Sequence, residues 1–308
     1  LTTPTLTTAA NAYNLGLNAT GTTITTTVTF NNTGTLTLGQ AGGTQTYTGG
    51  LVATAPSSAT LKGTISTTDT TMTMGSVTSL GADTILSSGS GAVNLNNTVN
   101  GAFTLTVNTS GVTTFANTIG NSAALTTVTT DSGGTLAMNG TSVRTSSYQN
   151  YGEAVTLGNN VSLVTTAGAT TGANISFGNT ITGSAPTRNL TLDAGTAGAI
   201  SVTGTIGTNI GTLTVTNSGG ATFTGAVTTG TSVVLTNTTG TIAFNGALTT
   251  PTLTTAAQGY NLGLNATGTA ITGAVSFLNT GTLALGSTSG TQTYTGGLNT
   301  ASVGGVVT

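Results

Sequence analysis

One pattern returns about every twenty residues along this 308-residue chain, and it constrains the fold more than any other feature. It reads apolar-x-apolar-x-[Gly/Asn]-x-apolar. Clear copies are Val93-Leu95-Asn97-Val99, Val155-Leu157-Asn159-Val161, Ile175-Phe177-Asn179-Ile181, Ile200-Val202-Gly204-Ile206 and Ile242-Phe244-Gly246-Leu248. Weaker copies are Thr113-Phe115-Asn117-Ile119, Leu136-Met138-Gly140-Ser142 and Ala221-Phe223-Gly225-Val227. The copies start at positions 93, 113, 136, 155, 175, 200, 221 and 242, an irregular but persistent step. A repeat in this range marks a solenoid, in which each unit is one coil stacked on the next.

Longer repeats give the same unit. The segment 1–51 returns at 248–298 without a gap, with LTTPTLTTAA, YNLGLNATGT and GTQTYTGGL in both copies. A shorter motif stands at Gln45-x-Tyr47-x-x-x-Leu51, Gln149-x-Tyr151-x-x-x-Val155 and Gln292-x-Tyr294-x-x-x-Leu298. The intervals 45 to 149, 149 to 292 and 45 to 292 divide by 5, 7 and 12 to give 20.8, 20.4 and 20.6. The expected organisation is one continuous β-solenoid over 1–308, each coil taking up about 20–21 positions of the chain. Within it, 1–51 and 248–298 are copies of one module.

In each copy of the short pattern, apolar and small polar residues alternate, as in Ile200-Ser201-Val202-Thr203. A period of two is that of a strand with one buried face, and Thr suits the outward positions because its β-branch fits the pleat. The column Asn97, Asn117, Gly140, Asn159, Asn179, Gly204, Gly225 and Gly246 reads as a structural corner. Gly and Asn are the residues that take the left-handed backbone at least cost. The alternative is a ladder of stacked Asn amides; the Gly members favour the corner. Neither end of the sequence carries an amphipathic capping helix or a charged run. That pattern predicts a window from a longer fibre, or a subunit that stacks head to tail.

Composition supports a buried core and excludes several partners. Only 3% of residues are charged, 36% are hydrophobic, and the net charge is −2. Disordered chains combine low hydrophobicity with high net charge, which is not the case here. Lys62, Arg144 and Arg188 are the only cations and lie far apart in sequence, so no nucleic acid is expected as a partner. No apolar run approaches the length of a membrane span, and no membrane insertion is expected.

The segments GAFTLTVNTSGVTTFANTIGNSAALTTVTTDSGGTLAMNG (101–140) and YGEAVTLGNN (151–160) resemble very large repetitive bacterial surface exoproteins. These are the filamentous-haemagglutinin-like and autotransporter-passenger-like proteins. The resemblance implies a right-handed parallel β-helix, export to the cell surface, and a role in adhesion, aggregation or extracellular matrix. No catalytic motif is present to carry over.

Chemistry is sparse. With no His and no Cys, the usual general bases and their nucleophile partners are missing, as are thiolate metal sites and disulfides. No phosphate-binding loop and no calcium nonapeptide occurs. No cofactor, no metal and no enzymatic activity are expected. The acidic residues are Asp69, Asp83, Asp131, Glu153 and Asp193. Asp131 and Glu153 are about one coil apart and so are candidates for stacked neighbours; the simpler reading is two solvated loop carboxylates. Arg188 and Asp193 read as a surface pair of small energetic weight. Tyr13, Tyr47, Tyr148, Tyr151, Tyr260 and Tyr294 fall near the repeated motifs. They read either as a binding stripe for glycans or partner fibres or, preferably, as corner tyrosines with a buried ring and a wet hydroxyl.

The function expected from these features is a structural extracellular fibre or adhesin stalk. Its partner is a further copy of itself, by head-to-tail or lateral association, with surface glycans as a second candidate. Alternatives are a surface-layer lattice protein and an ice- or glycan-binding face of ranked threonines. Such a face needs Thr-x-Thr in register over many coils, and Thr44-Gln45-Thr46 does not recur at one phase of the sequence period.

Overall fold

A computed structural model describes residues 1–286 and 289–305. Every regular element among them is a β-strand, and strand pairs such as Val93–Leu95 with Val112–Phe115 are parallel. Among the described residues no helix is long and apolar enough to cross a membrane. The fold is a β-solenoid. Its chain divides into two compact units, the first made of Leu1–Thr145 and Tyr151–Ala154, the second of Ser146–Asn150 and the described residues from Val155 onward.

In the first unit, one ladder runs through seven levels: Thr2–Thr3, Thr22–Ile24, Thr35–Tyr47, Ser58–Thr67, Val77–Gly89, Leu105–Thr109 and Val128–Thr130. A second face stacks Val28, Leu51, Met72, Val93, Thr113 and Leu136, each paired with the next. In the second unit, Ile175, Ile200, Ala221, Ile242, Leu262 and Leu283 stand one above another in the same way. The sequence period is therefore one coil, and its scatter is loop length at the corners.

Alternation decides which side chains enter the interior. Ser58–Thr67 runs half-buried, buried, half-buried along its whole length. The inward positions form columns, such as Ala53-Met74-Leu95-Phe115-Met138 in the first unit. In the second, Phe177, Val202, Phe223, Phe244 and Leu264 make an equivalent column. The rings of Phe223 and Phe244 stack with centroids 4.7 Å apart and planes within 11°. That distance is the spacing of hydrogen-bonded strands, so the backbone ladder sets the aromatic contact. A lone coil has no second layer to bury these residues; only its neighbours above and below supply one.

The two copies of the repeated module share several single hydrogen bonds. Gln45 Nε2 donates to the carbonyls of Leu17 and Ala19 at 2.6 and 3.0 Å; Gln292 Nε2 donates to Leu264 and Ala266 at 2.6 and 2.9 Å. Tyr47 donates to Gln45 Oε1 at 2.9 Å and Tyr294 to Gln292 Oε1 at 2.8 Å. The edge-on contacts Phe30–Tyr47 and Phe277–Tyr294 also match, at 6.3 and 6.5 Å.

The column architecture makes a direct prediction. Phe223→Ala removes a ring held between coils and is expected to cost about 3–5 kcal/mol of stability. Guanidinium denaturation of the variant checks this; a loss under about 1 kcal/mol, typical of a surface change, would mean that the ring is not packed between two layers.

Candidate functional site

All eight residues of the expected corner column sit at chain bends between strands. Two features of that expectation need correction. The first is the step from Val155 to Ile175, which is not one coil: Val155 pairs with Ile181, and Val161 with Leu190. Asn159 and Asn179 therefore turn different corners. Asn97, Asn117 and Gly140 turn one corner in the first unit; Asn179, Gly204, Gly225 and Gly246 form a column in the second.

The second concerns backbone conformation. None of the eight adopts positive φ. Gly is required at four of them by crowding along the axis. A Cβ at Gly204 would lie 2.3 Å from the carbonyl carbon of Asn179, and at Gly225 and Gly246 it would lie 2.3 Å from the backbone below. At Gly140 the corresponding distance, to the Asn117 oxygen, is 2.2 Å. Asn serves otherwise. The Oδ1 atoms of Asn97, Asn117, Asn159 and Asn179 each accept the next residue's N–H at 2.8 Å, satisfying a donor that the bend removes from the ladder. Left-handed glycines occur elsewhere, including Gly39 (φ 85°) and Gly63 (φ 67°), inside the long strands Thr35–Tyr47 and Ser58–Thr67 beside shifts in strand register.

The tyrosines differ in burial, with Tyr294 half-buried. Tyr47, Tyr151 and Tyr260 are fully buried, while Tyr13 and Tyr148 are exposed. For Tyr47 the expected wet hydroxyl is corrected by its own Gln-x-Tyr motif, and the Tyr260 hydroxyl accepts the Ala256 N–H at 3.2 Å. Residues two apart on a strand share a face, so Gln45 and Tyr47 both point inward, where the amide accepts the phenol and donates to the coil below. Burial pushes the phenols of Tyr47 and Tyr151 well above the ordinary range, and that of Tyr294 up to about 12. Gln149 is buried too, with Nε2 donating to Val164 at 3.0 Å.

The reading of Glu153 as a solvated loop carboxylate is overturned. Glu153 has no exposed surface, and its Oε1 accepts the hydroxyl of Thr113 at 3.0 Å. The two residues are two coils apart; the coil between them carries Gly133 and Gly134 at its corner. Oε2 is buried with no hydrogen-bond partner, as is Oδ1 of Asp131. Burial pushes the Glu153 carboxyl up to about 7, the Thr113 and Thr130 hydroxyls oppose that shift, and the Asp131 charge adds to it. Asp131 is itself raised by burial, against backbone hydrogen bonds that lower it. The two carboxylates are thus coupled inside the first unit. Among the described residues no group of three or more His, Cys, Asp or Glu gathers where it could hold a metal ion.

Arg188 and Asp193 do not form the expected pair. Both lie on the strand Arg188–Asp193, which separates their Cα atoms by roughly 16 Å. Arg188 Nε instead donates to Ser184 Oγ at 3.2 Å, and Asp193 Oδ1 accepts from Asn217 Nδ2 and the Gly195 N–H, both at 3.1 Å.

Several shallow clefts open on the surface. In the second unit, a cleft of about 500 Å³ is lined by Tyr148, Asn150, Asn174 and Ser176, with Gly172 and Gly198 among the small residues. In the first, a cleft of about 490 Å³ holds Asp83, Ile85 and Phe103. Another, of about 400 Å³, lies between Asp69, Asn108 and Asp131. Comparison with models of known protein families, with curated proteins and with solved structures finds no match to this chain.

Two predictions arise from these sites. Gly225→Val drives a branched side chain into the backbone of the coil below and is expected to destabilise by about 2 kcal/mol or more. Chemical denaturation reads the loss, and a neutral outcome would show that the corner is open. For Glu153, the folded pKa is raised above the ordinary 4.5, so the neutral acid is the form the fold prefers. Its stability contribution is complete below about pH 4.5 and is lost as pH rises through about 7. The melting temperature is expected to fall between pH 5 and pH 8, and Glu153→Gln is expected to remove most of that slope. Calorimetry at the two pH values checks it, and a slope unchanged in the Glu153→Gln variant would contradict the assignment.

Proposed function

We propose that the chain is a non-catalytic structural element of an extracellular or cell-surface fibre, acting as a filament or adhesin stalk that associates with further copies of itself. The observation that carries this reading is the module repeat. Segments 1–51 and 248–298 share sequence, and the two copies share the Gln-x-Tyr, Asn and Phe–Tyr contacts residue for residue. A design that repeats its interior, not a surface site, suits a chain whose task is length and stiffness. Stability in such stacks is a sum of nearest-neighbour terms, so further coils add length without a new core.

Composition supports the same reading. A surface of Thr, Ser, Asn and Gly with 3% charged residues has little long-range repulsion to oppose side-by-side packing. The lack of His and Cys favours a scaffold over a catalyst. Placement at a bacterial cell surface rests on the resemblance to large repetitive exoproteins.

The outward threonines give less support to an ice-binding face. Thr44 and Thr46 do stack on Thr64 and Ser66. The next coil places Ile85 beside Ser87, and the one after it Thr106 beside Asn108, so the hydroxyl array breaks.

Negative-stain microscopy of the purified chain tests the proposal. Uniform thin filaments or bundled rods that lengthen with concentration are expected. Dispersed particles at every concentration would overturn self-association.

A further inference from the structure

We infer that the cleft beside Tyr148 in the second unit is a binding site for a neutral carbohydrate. The inference does not rest on filament formation. It begins from a residue that the packing does not require. The buried tyrosines fill the interior, whereas Tyr148 stands 46% exposed at the rim of a cleft of about 500 Å³. That volume lies within the range of small-ligand sites.

The cleft is built where the coils are longest. Val155 pairs with Ile181 and Ile175 with Ile200, whereas the coils that follow close sooner, pairing Ile200 with Ala221, Ala221 with Ile242 and Ile242 with Leu262. The added length forms two loops, around Gly172 and Gly198, that supply the cleft wall. These loops are tied together: Ala197 N and Gly198 N both donate to the Thr171 carbonyl, at 2.9 and 3.2 Å. A Cβ at Gly198 would lie 2.3 Å from the Ala173 oxygen of the neighbouring loop, so only glycine lets the two loops approach so closely. Asn174 Oδ1 accepts the Ala199 N–H at 2.9 Å and fixes the wall from within. The site is preformed, which lowers the ordering cost of binding.

Its chemistry selects the ligand. An exposed tyrosine offers an apolar face and a polar tip. Asn150 points outward from the strand Gln149–Tyr151, and Ser176 supplies a hydroxyl on the same lining. Among the described residues, no charged side chain lines the cleft. A pyranose unit, with one face of C–H groups and a rim of hydroxyls, matches a ring flanked by amides and hydroxyls. An anionic sugar would find no cation. The other clefts differ in kind, because Asp83 lies in one, and Asp69 and Asp131 in another.

Saturation-transfer NMR with cellohexaose, chitohexaose and mannohexaose, and with oligogalacturonate as the anionic probe, tests the inference on the full chain. Transfer to at least one neutral probe is expected, with affinity falling about tenfold in Tyr148→Ala, the loss of one good contact. Asn150→Ala is expected to weaken the same probe while leaving the circular dichroism spectrum and melting temperature unchanged. Absence of transfer to all three neutral probes would overturn the site. So would transfer unaffected by both variants, or preferential binding of oligogalacturonate. None of these outcomes bears on whether the chain forms filaments.

Discussion

Everything in this protein depends on one coil lying flat on another at the spacing of a parallel hydrogen-bonded ladder. The ladder fixes the axial distance, and the axial distance fixes what the side chains can do. Apolar residues repeat in columns because each must meet its counterpart one strand spacing away, as Phe223 and Phe244 do at 4.7 Å. Glycine recurs at corners such as Gly204, Gly225 and Gly246 because successive backbones come too close there for a Cβ. Large polar side chains lie mostly outside, or at the few interior places where a partner of the right polarity waits.

Those interior polar places show how strict the stacking is. Gln45 and Tyr47 are buried together because each satisfies the other and the amide reaches the coil below. The same pair recurs as Gln292 and Tyr294 in the second copy of the module, with nearly the same distances. Buried amides and phenols are tolerable only when their hydrogen bonds are made, so the motif is reproduced as a unit. Glu153 is the counterexample. It has one hydroxyl partner and one empty oxygen, and it remains inside by holding its proton to about neutral pH.

Much of this architecture is legible in the sequence. Strand alternation and the coil-length period both express geometry that the ladder imposes on every coil, so they survive without any alignment. The phase slip at Val155 does not. Two long coils in succession, Val155 to Ile181 and Ile175 to Ile200, hide a change of corner behind an ordinary-looking step from Val155 to Ile175. The left-handed reading of the Gly/Asn column failed for a related reason. Gly and Asn fit a positive φ, but they also fit close backbone approach and local capping, and only coordinates separate these. The sequence spacing brings Glu153 within one coil of Asp131 and sets Tyr148 near a repeated motif, but it does not say that Glu153 is buried and Tyr148 exposed. One is set inside by a Gly-Gly corner two levels from its partner, and the other is set outside by two loop insertions.

Parallel stacking in a defined register can be tested with cysteine pairs, since the chain has none of its own. Thr222 and Ala243 are direct neighbours on adjacent coils, whereas Ser232 lies on a different face. Neighbouring strands in a ladder are close enough for a disulfide. The double variant Thr222→Cys, Ala243→Cys should oxidise to an intramolecular disulfide, and Thr222→Cys, Ser232→Cys should not. A disulfide between 222 and 232, or none between 222 and 243, would contradict the coil register on which every other feature depends.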